Sequence, residues 1–146
     1  MTVRPASSND VPGMAALSGV LGYVATPSAF DTRLQRVLSR TEDIVLVADL
    51  DRQVVGWLHG SEQPLLTSDR SAEILALVVD GTQRRRGVGR QLIAAFEAWC
   101  SARGIVQVCV RSNVVRPESH AFYERLGYDR VKSQHVYRKP VPPAAR

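Results

Sequence analysis

The run Gln83-Arg84-Arg85-Arg86-Gly87-Val88-Gly89-Arg90 combines what a phosphate needs, counter-charge and close backbone approach. It follows the apolar stretch Ile74-Leu75-Ala76-Leu77-Val78-Val79 and precedes a helical pattern that ends at Arg103. The first amides of a helix have no acceptor inside it, and the helix dipole adds positive potential at that end. Glycine has no Cβ to hold a phosphate off. A strand, a glycine-bearing turn and a helix start therefore predict an anion site suited to a pyrophosphate.

Three readings compete for the turn. A dinucleotide-binding loop asks for a third glycine or alanine, where Gly87-Val88-Gly89-Arg90-Gln91-Leu92 has leucine. A nucleoside-triphosphate loop ends in Gly-Lys-Ser or Gly-Lys-Thr, which this run lacks. The third is coenzyme A. Arg84-Arg85-Arg86-Gly87-Val88-Gly89 matches Gln/Arg-x-x-Gly-x-Gly/Ala, the central motif of the GNAT superfamily of N-acetyltransferases. Ala121-Phe122-Tyr123-Glu124-Arg125-Leu126-Gly127-Tyr128 is similar to that superfamily's second signature, a short helix ending in Leu-Gly-Phe/Tyr. On these two motifs, in this order with one strand between them, the chain resembles a GNAT enzyme. The Val-x-Pro lead-in departs from the pattern, reading Val79-Asp80-Gly81.

The elements that position these motifs follow from periodicity. Thr2–Pro5 reads as a short strand, and Asn9 or Asp10 as the cap of a helix carrying Val11, Met14, Leu17 and Leu21. Ser28 with Asp31 resembles a capping box for a second helix presenting Phe30, Leu34, Val37 and Leu38. Ile44–Ala48 and Val54–Gly60 pattern as an antiparallel pair around an Asp51-Arg52-Gln53 turn. Ala72–Val79 is apolar enough to suggest burial on both faces. The helix after the turn carries Leu92, Ile93, Phe96 and Trp99 as a core stripe, and Ile105–Val110 is the next strand. Strand, helix and strand imply a parallel pair with a right-handed crossover. Pro117 and Gly127 bracket a short helix, and Val131–Lys139 reads as a closing strand.

Length and composition narrow the class. A chain of 146 residues with 45% hydrophobic and 23% charged residues fits one globular domain. No stretch is apolar enough to span a bilayer, and the N-terminus lacks a signal-peptide pattern. Cys100 and Cys109 have no metal-ligand spacing and are expected as buried reduced thiols, which points to the cytoplasm. The net charge of +5 raises nucleic acid as a partner, but outside Arg84–Arg90 the basic residues are scattered among acids. The spacing of His59, His120 and His135 suggests no metal site.

The resemblance implies an α/β (α+β) fold in which a central mixed, twisted sheet is flanked by helices and a splayed parallel strand pair forms the coenzyme cleft. It implies one domain over residues 1–140, with a flexible tail at 141–146. Acetyl-CoA is the implied cosubstrate and an amine the acceptor, without a metal, a nucleic acid or a membrane; homodimers are common in the superfamily. The backbone of Leu77, Val78 and Val79 would hold the pantetheine arm. Arg84, Arg85, Arg86, Gly87, Val88, Gly89 and Arg90 would hold the pyrophosphate. Asn113 matches a coenzyme-binding asparagine, and Arg116 and Ser119 are candidates for the phosphates or adenosine. Tyr123 stands where family members carry the general acid. Glu73 stands where the histone-type branch carries its base, with Glu62 in reserve and a solvated strand-end glutamate as the competing reading. The alternative is a degenerate domain that binds an acyl-CoA as a sensor, a role that needs neither Glu73 nor Tyr123.

Overall fold

The computed structural model describes residues 1–83, 86–112 and 117–145. It divides into two compact units, Met1–Arg111 and Ser112–Arg146. The first holds β1 (Thr2–Pro5), α1 (Val11–Val20), α2 (Pro27–Leu38), β2 (Asp43–Leu50), β3 (Gln53–Gln63), β4 (Ser71–Val79), α3 (Val88–Ala102) and β5 (Gln107–Val110). The strands form one sheet in the order β1-β2-β3-β4-β5, antiparallel except for the final β4–β5 pair. The mixed sheet and its parallel pair match expectation. Among the described residues no helix is long and apolar enough to cross a membrane.

The β2–β3 link is a two-residue turn in which Asp51 (φ 50°) and Arg52 (φ 67°) are both left-handed. That geometry matches the twist of the flanking strands. Across β3–β4, His59 faces Ala76 while Gly60 faces Ile74, so Leu75 is an extra residue on β4, a bulge. Cross-strand partners share a face of the sheet, and a bulge reverses the alternation on its own strand.

One face carries α1 and α2, with Val11, Met14 and Leu34 buried against Val45 and Val47, and Phe30, Val37 and Trp57 packed around them. The other carries α3, whose Leu92, Ile93 and Phe96 are buried. Fully burying one such side chain stabilises the fold by about 1.5–3 kcal/mol. Gly60 is a glycine because Phe96 occupies its side-chain space: a Cβ there would lie 2.2 Å from the ring.

Several expectations are corrected. The α2 cap is Thr26, whose Oγ1 accepts the Ala29 N–H at 3.1 Å, and not Ser28. Pro27 takes the first helical position, which sets the helix start two residues earlier than the Ser28 box. Asp10 occupies the α1 cap position without capping, because its carboxylate accepts Arg4 Nη1 and Nη2 at 2.9 and 2.8 Å and the Ser7 N–H. Leu21 is exposed, lying past the last turn of α1. Leu75 of β4 is exposed rather than covered on both sides. Cys100 is buried, its thiol pushed up to about 11 chiefly by that burial, but Cys109 is exposed on the edge strand β5.

The second unit carries α4 (Pro117–Arg125). Gly127 (φ 91°) stops it, and the N–H groups of Leu126 and Tyr128 return to the Tyr123 carbonyl at 3.0 and 3.1 Å. Val131–Lys139 forms no strand, and Val131, Val136 and Tyr137 are exposed. A strand needs a ladder partner to supply its hydrogen bonds.

Candidate active site

The parallel pair is incomplete in an informative way. β5 pairs only with the first part of β4, from Ser71↔Gln107 to Ile74↔Val110. β4 then runs on to Val79 with β3 on one side and, among the described residues, no strand on the other. The bulge at Leu75 falls where this unpaired stretch begins. Leu77, Val78 and Val79 lie within it, so on that side their segment is a strand edge without a strand partner among the described residues.

That edge leads directly into the anion turn. The Asp80 N–H bonds the Val55 carbonyl at 2.9 Å, and its carboxylate accepts both the N–H and the hydroxyl of Thr82 at 2.9 Å. A short 3-10 turn, Gly81–Gln83, follows. Gly87 precedes α3 with φ 75°, a left-handed conformation that disfavours any residue with a Cβ. A Cβ there would meet no atom of the described residues within 4 Å. The first bond across the helix start runs from the Gln91 N–H to the Gly87 carbonyl at 2.9 Å. The amides of Val88, Gly89 and Arg90 precede it and have no acceptor within the helix. Val88 and Gly89 are buried, while Arg86 and Arg90 are exposed with their charges beside the turn. This donor set fits a pyrophosphate, and the unpaired edge fits an extended arm bearing amides. Arg84, Arg85, Asn113 and Arg116 lie outside the described residues.

On the α1/α2 face a cavity of about 520 Å³ opens beside the same strand. Leu75–Val78 form one wall, and Ser18, Tyr23, Phe30, Arg33 and Trp57 close it from α1, the connection after it, α2 and β3. Phe30 meets Trp57 edge-on at 6.1 Å between ring centres. The Trp57 indole donates to Ser18 Oγ at 3.0 Å, and that hydroxyl donates to the Met14 carbonyl at 2.7 Å. A second cavity of about 470 Å³, lined in part by Arg4, Asp10, Arg52 and Asp80, lies at the far end of β4. Trp57 and Arg33 carry no pocket signature in the sequence. The available signal for Arg33 is its place three residues after Phe30 on one helix, where side chains are neighbours.

The candidate bases separate by face. Glu73 pairs across the sheet with Ser61, and Ser61 with Asp43, on the α1/α2 side that holds the cavity. It does not line the cavity, and Arg111 Nη1 contacts its Oε1. Glu62 pairs with Ala72, two residues beyond the Gly60–Ile74 pair on the α3 side. Arg70 binds it with two hydrogen bonds of 2.8 and 2.9 Å, which hold its carboxyl below the usual range, and Arg103 lies at 3.5 Å. His59 lies 3.2 Å from Asp43, which also accepts the Ser61 hydroxyl, so this histidine is part of a structural cluster.

In the second unit Tyr123 packs against Phe122 and Tyr128, with ring centres 5.1 and 6.0 Å apart. Burial pushes its phenol above the ordinary value, so it stays protonated through neutral pH. Ser119 lies half-buried in the first turn of the same helix.

A mixed sheet whose parallel pair parts above a glycine turn defines the acetyltransferase class of fold. The model of the acetyltransferase (GNAT) family matches residues 16–128, and this chain belongs to that family. Probable N-acetyltransferase 14 of Danio rerio is 31% identical over 84 residues, covering 58% of this chain and 29% of that protein. The matched stretch thus spans less than a third of that relative. Among solved structures, the aminoglycoside 6'-N-acetyltransferase AAC(6')-IG of Acinetobacter haemolyticus superposes with a TM-score of 0.82 at 18% identity, covering 97% of this chain and 100% of that one. A transcriptional regulator from Bacillus halodurans gives 0.85 at 20% identity, over 94% and 99% of the two chains. The aminoglycoside N-acetyltransferase AAC(6')-Iy in complex with CoA gives 0.81 at 19%, over 96% and 100%. Likeness at this level of identity speaks for a shared fold.

Proposed function

We propose that this chain is an acyltransferase that moves the acetyl group of acetyl-CoA to a primary amine by direct attack within a ternary complex. One observation carries the reading: β4 outruns its parallel partner and delivers an unpaired edge, through the glycine turn, to the start of α3. The backbone of Leu77, Val78 and Val79 would hold the pantetheine arm. The amides from Arg84 to Gly89, with Arg86 and Arg90, would hold the pyrophosphate. Asn113, by its match to a coenzyme-binding asparagine of the family, and Ser119, as a candidate for the phosphates or adenosine, would join the coenzyme contacts.

The amine nitrogen must attack with a free lone pair. An amine of ordinary basicity has a pKa of about 10.4, so presenting it neutral at pH 7 costs about 4.6 kcal/mol. The proton leaves through water, with Glu73 as its terminal acceptor. A carbon–nitrogen bond forms at the thioester carbon, and β4 amides facing its oxygen offset the charge that develops there. The carbon–sulfur bond then breaks, and Tyr123, assigned by its motif, protonates the departing thiolate. A phenol held protonated by burial suits that donation.

The test is calorimetric titration of acetyl-CoA into the purified chain, followed by acceptor-dependent thiol release. Binding followed by thiol release on adding an amine is expected; absence of coenzyme binding would overturn the reading. Glu73→Gln should shift the pH–rate profile to higher pH, and an unchanged profile would remove Glu73 as the acceptor of the proton.

A further inference from the structure

The cavity beside Leu75–Val78 has a chemistry of its own. Its aromatic wall is Tyr23, Phe30 and Trp57, and Ala25, Ala76 and Leu77 extend the apolar lining. The polar atoms of Trp57 and Ser18 are already spent on each other and on the Met14 carbonyl. Among the described residues no aspartate or glutamate lines it. Among the described residues Arg33 is its one charged lining residue, exposed at the rim. The described residues place no hydrogen bond or ion pair on its guanidinium, whereas Arg4, Arg70 and Arg111 are each paired with a carboxylate.

We propose that the acceptor is an amine on an aromatic or branched apolar body that also carries a carboxylate, an amino-acid-like substrate whose carboxylate Arg33 binds. This inference rests on the transferase reading above and names its substrate class. Three physical arguments lead to it. The wall offers a flat side chain stacking partners and no carboxylate to hold an ammonium. A carboxylate meets at Arg33 a planar guanidinium with free donors, able to bind it through two parallel bonds. The same positive charge disfavours an ammonium nearby, so it favours the neutral, reactive form of the amine. A polycation meets the opposite situation, repelled by Arg33 with no acid among the described lining residues to offset it. The aminoglycoside acetyltransferases share the fold, and the lining of this cavity separates this chain from an acceptor of that kind.

The experiment measures thiol release from acetyl-CoA with phenylalanine, phenylalanine amide, phenethylamine and spermidine, beside calorimetric titration of acetyl-CoA alone. Phenylalanine should exceed the amide and phenethylamine in kcat/KM by about tenfold or more, the value of one charge-assisted contact, with spermidine lowest. Arg33→Gln should raise KM for phenylalanine by a similar factor, about tenfold, and leave KM for the amide within about twofold. Arg33→Lys should recover part of the loss. Spermidine as the best acceptor, or equal loss for phenylalanine and its amide in Arg33→Gln, would overturn the proposal and leave the transferase standing. Coenzyme binding with no release from any aromatic amine would also defeat it. No coenzyme binding would remove the transferase reading and this inference together. Arg33 is exposed, so its variants should fold, and the wild-type comparison of acid with amide needs no variant.

Discussion

The two halves of β4 have similar residues and opposite circumstances. From Ser71 to Ile74 the strand lies between β3 and β5 and is mostly buried, an ordinary interior strand. From Leu75 to Val79 it keeps β3 but has, among the described residues, no strand on its other side, and it borders the cavity and leads into the anion turn. Apolar residues run through both halves, so composition does not separate them. The free edge separates them: where the ladder is complete the backbone is spent on folding, and where it stops the backbone is left for a ligand. Changes around the lower half should therefore register in stability, and changes around the upper half in binding and turnover.

The largest effect is expected at Gly60, opposite Ile74 in the lower half. Gly60→Val drives a side chain into the Phe96 ring, 2.2 Å from where its Cβ would sit. It should cost about 3 kcal/mol in urea unfolding, as overpacking of a filled core does. A loss below 1 kcal/mol would mean that the α3 packing is looser than the register implies. Next, on the chemical side, Tyr123→Phe should slow kcat by about 100-fold, or about 2.7 kcal/mol, with coenzyme affinity and stability nearly unchanged. Equal loss of affinity and rate would sink its role as proton donor.

Asp43 offers a smaller test at the lower end of the sheet. Burial alone would raise its pKa, but hydrogen bonds from Ser61 and His59 and the nearby Arg40 hold it below the usual range. A carboxylate depressed in the folded state stabilises above its unfolded pKa of about 3.9, and that contribution is lost as pH falls through the folded value. Asp43→Asn should thus cost about 2 kcal/mol at pH 7, and the gap from wild type should narrow below about pH 4. A gap independent of pH would show that shape, not charge, makes the difference. Smallest, Arg90→Ala beside the turn should weaken acetyl-CoA binding by about tenfold, most at low salt, without shifting the urea midpoint. A stability loss there would blur the contrast between the two halves.

The anion turn was legible in the sequence because its requirements are local. Gly87 adopts the left-handed conformation that a residue with a Cβ disfavours, and the helix start follows at once. The second helix shows the limit of local reading. Ser28 and Asp31 have capping spacing, but Pro27 claimed the first helical position and Thr26 became the cap. Cys109 and Val131–Lys139 were misread for another reason: their patterns suit strands, and only strand pairing or an edge position decides what such a pattern covers.

The sequence by itself determined the order of elements from β1 to α4, the glycine turn and the resemblance of its two motifs to an acetyltransferase, since these depend on neighbours along the chain. Only the tertiary structure decided which carboxylate shares a face with the cavity. The bulge at Leu75 reverses the alternation of β4, putting Glu73 on the α1/α2 side, while Glu62 faces α3 under Arg70 and Arg103. It also brought Arg33 of α2, Trp57 of β3 and Leu75–Val78 of β4 around one cavity. A single extra residue in a structure of period two changes every side chain's face beyond it, and it becomes visible only once the strands are paired.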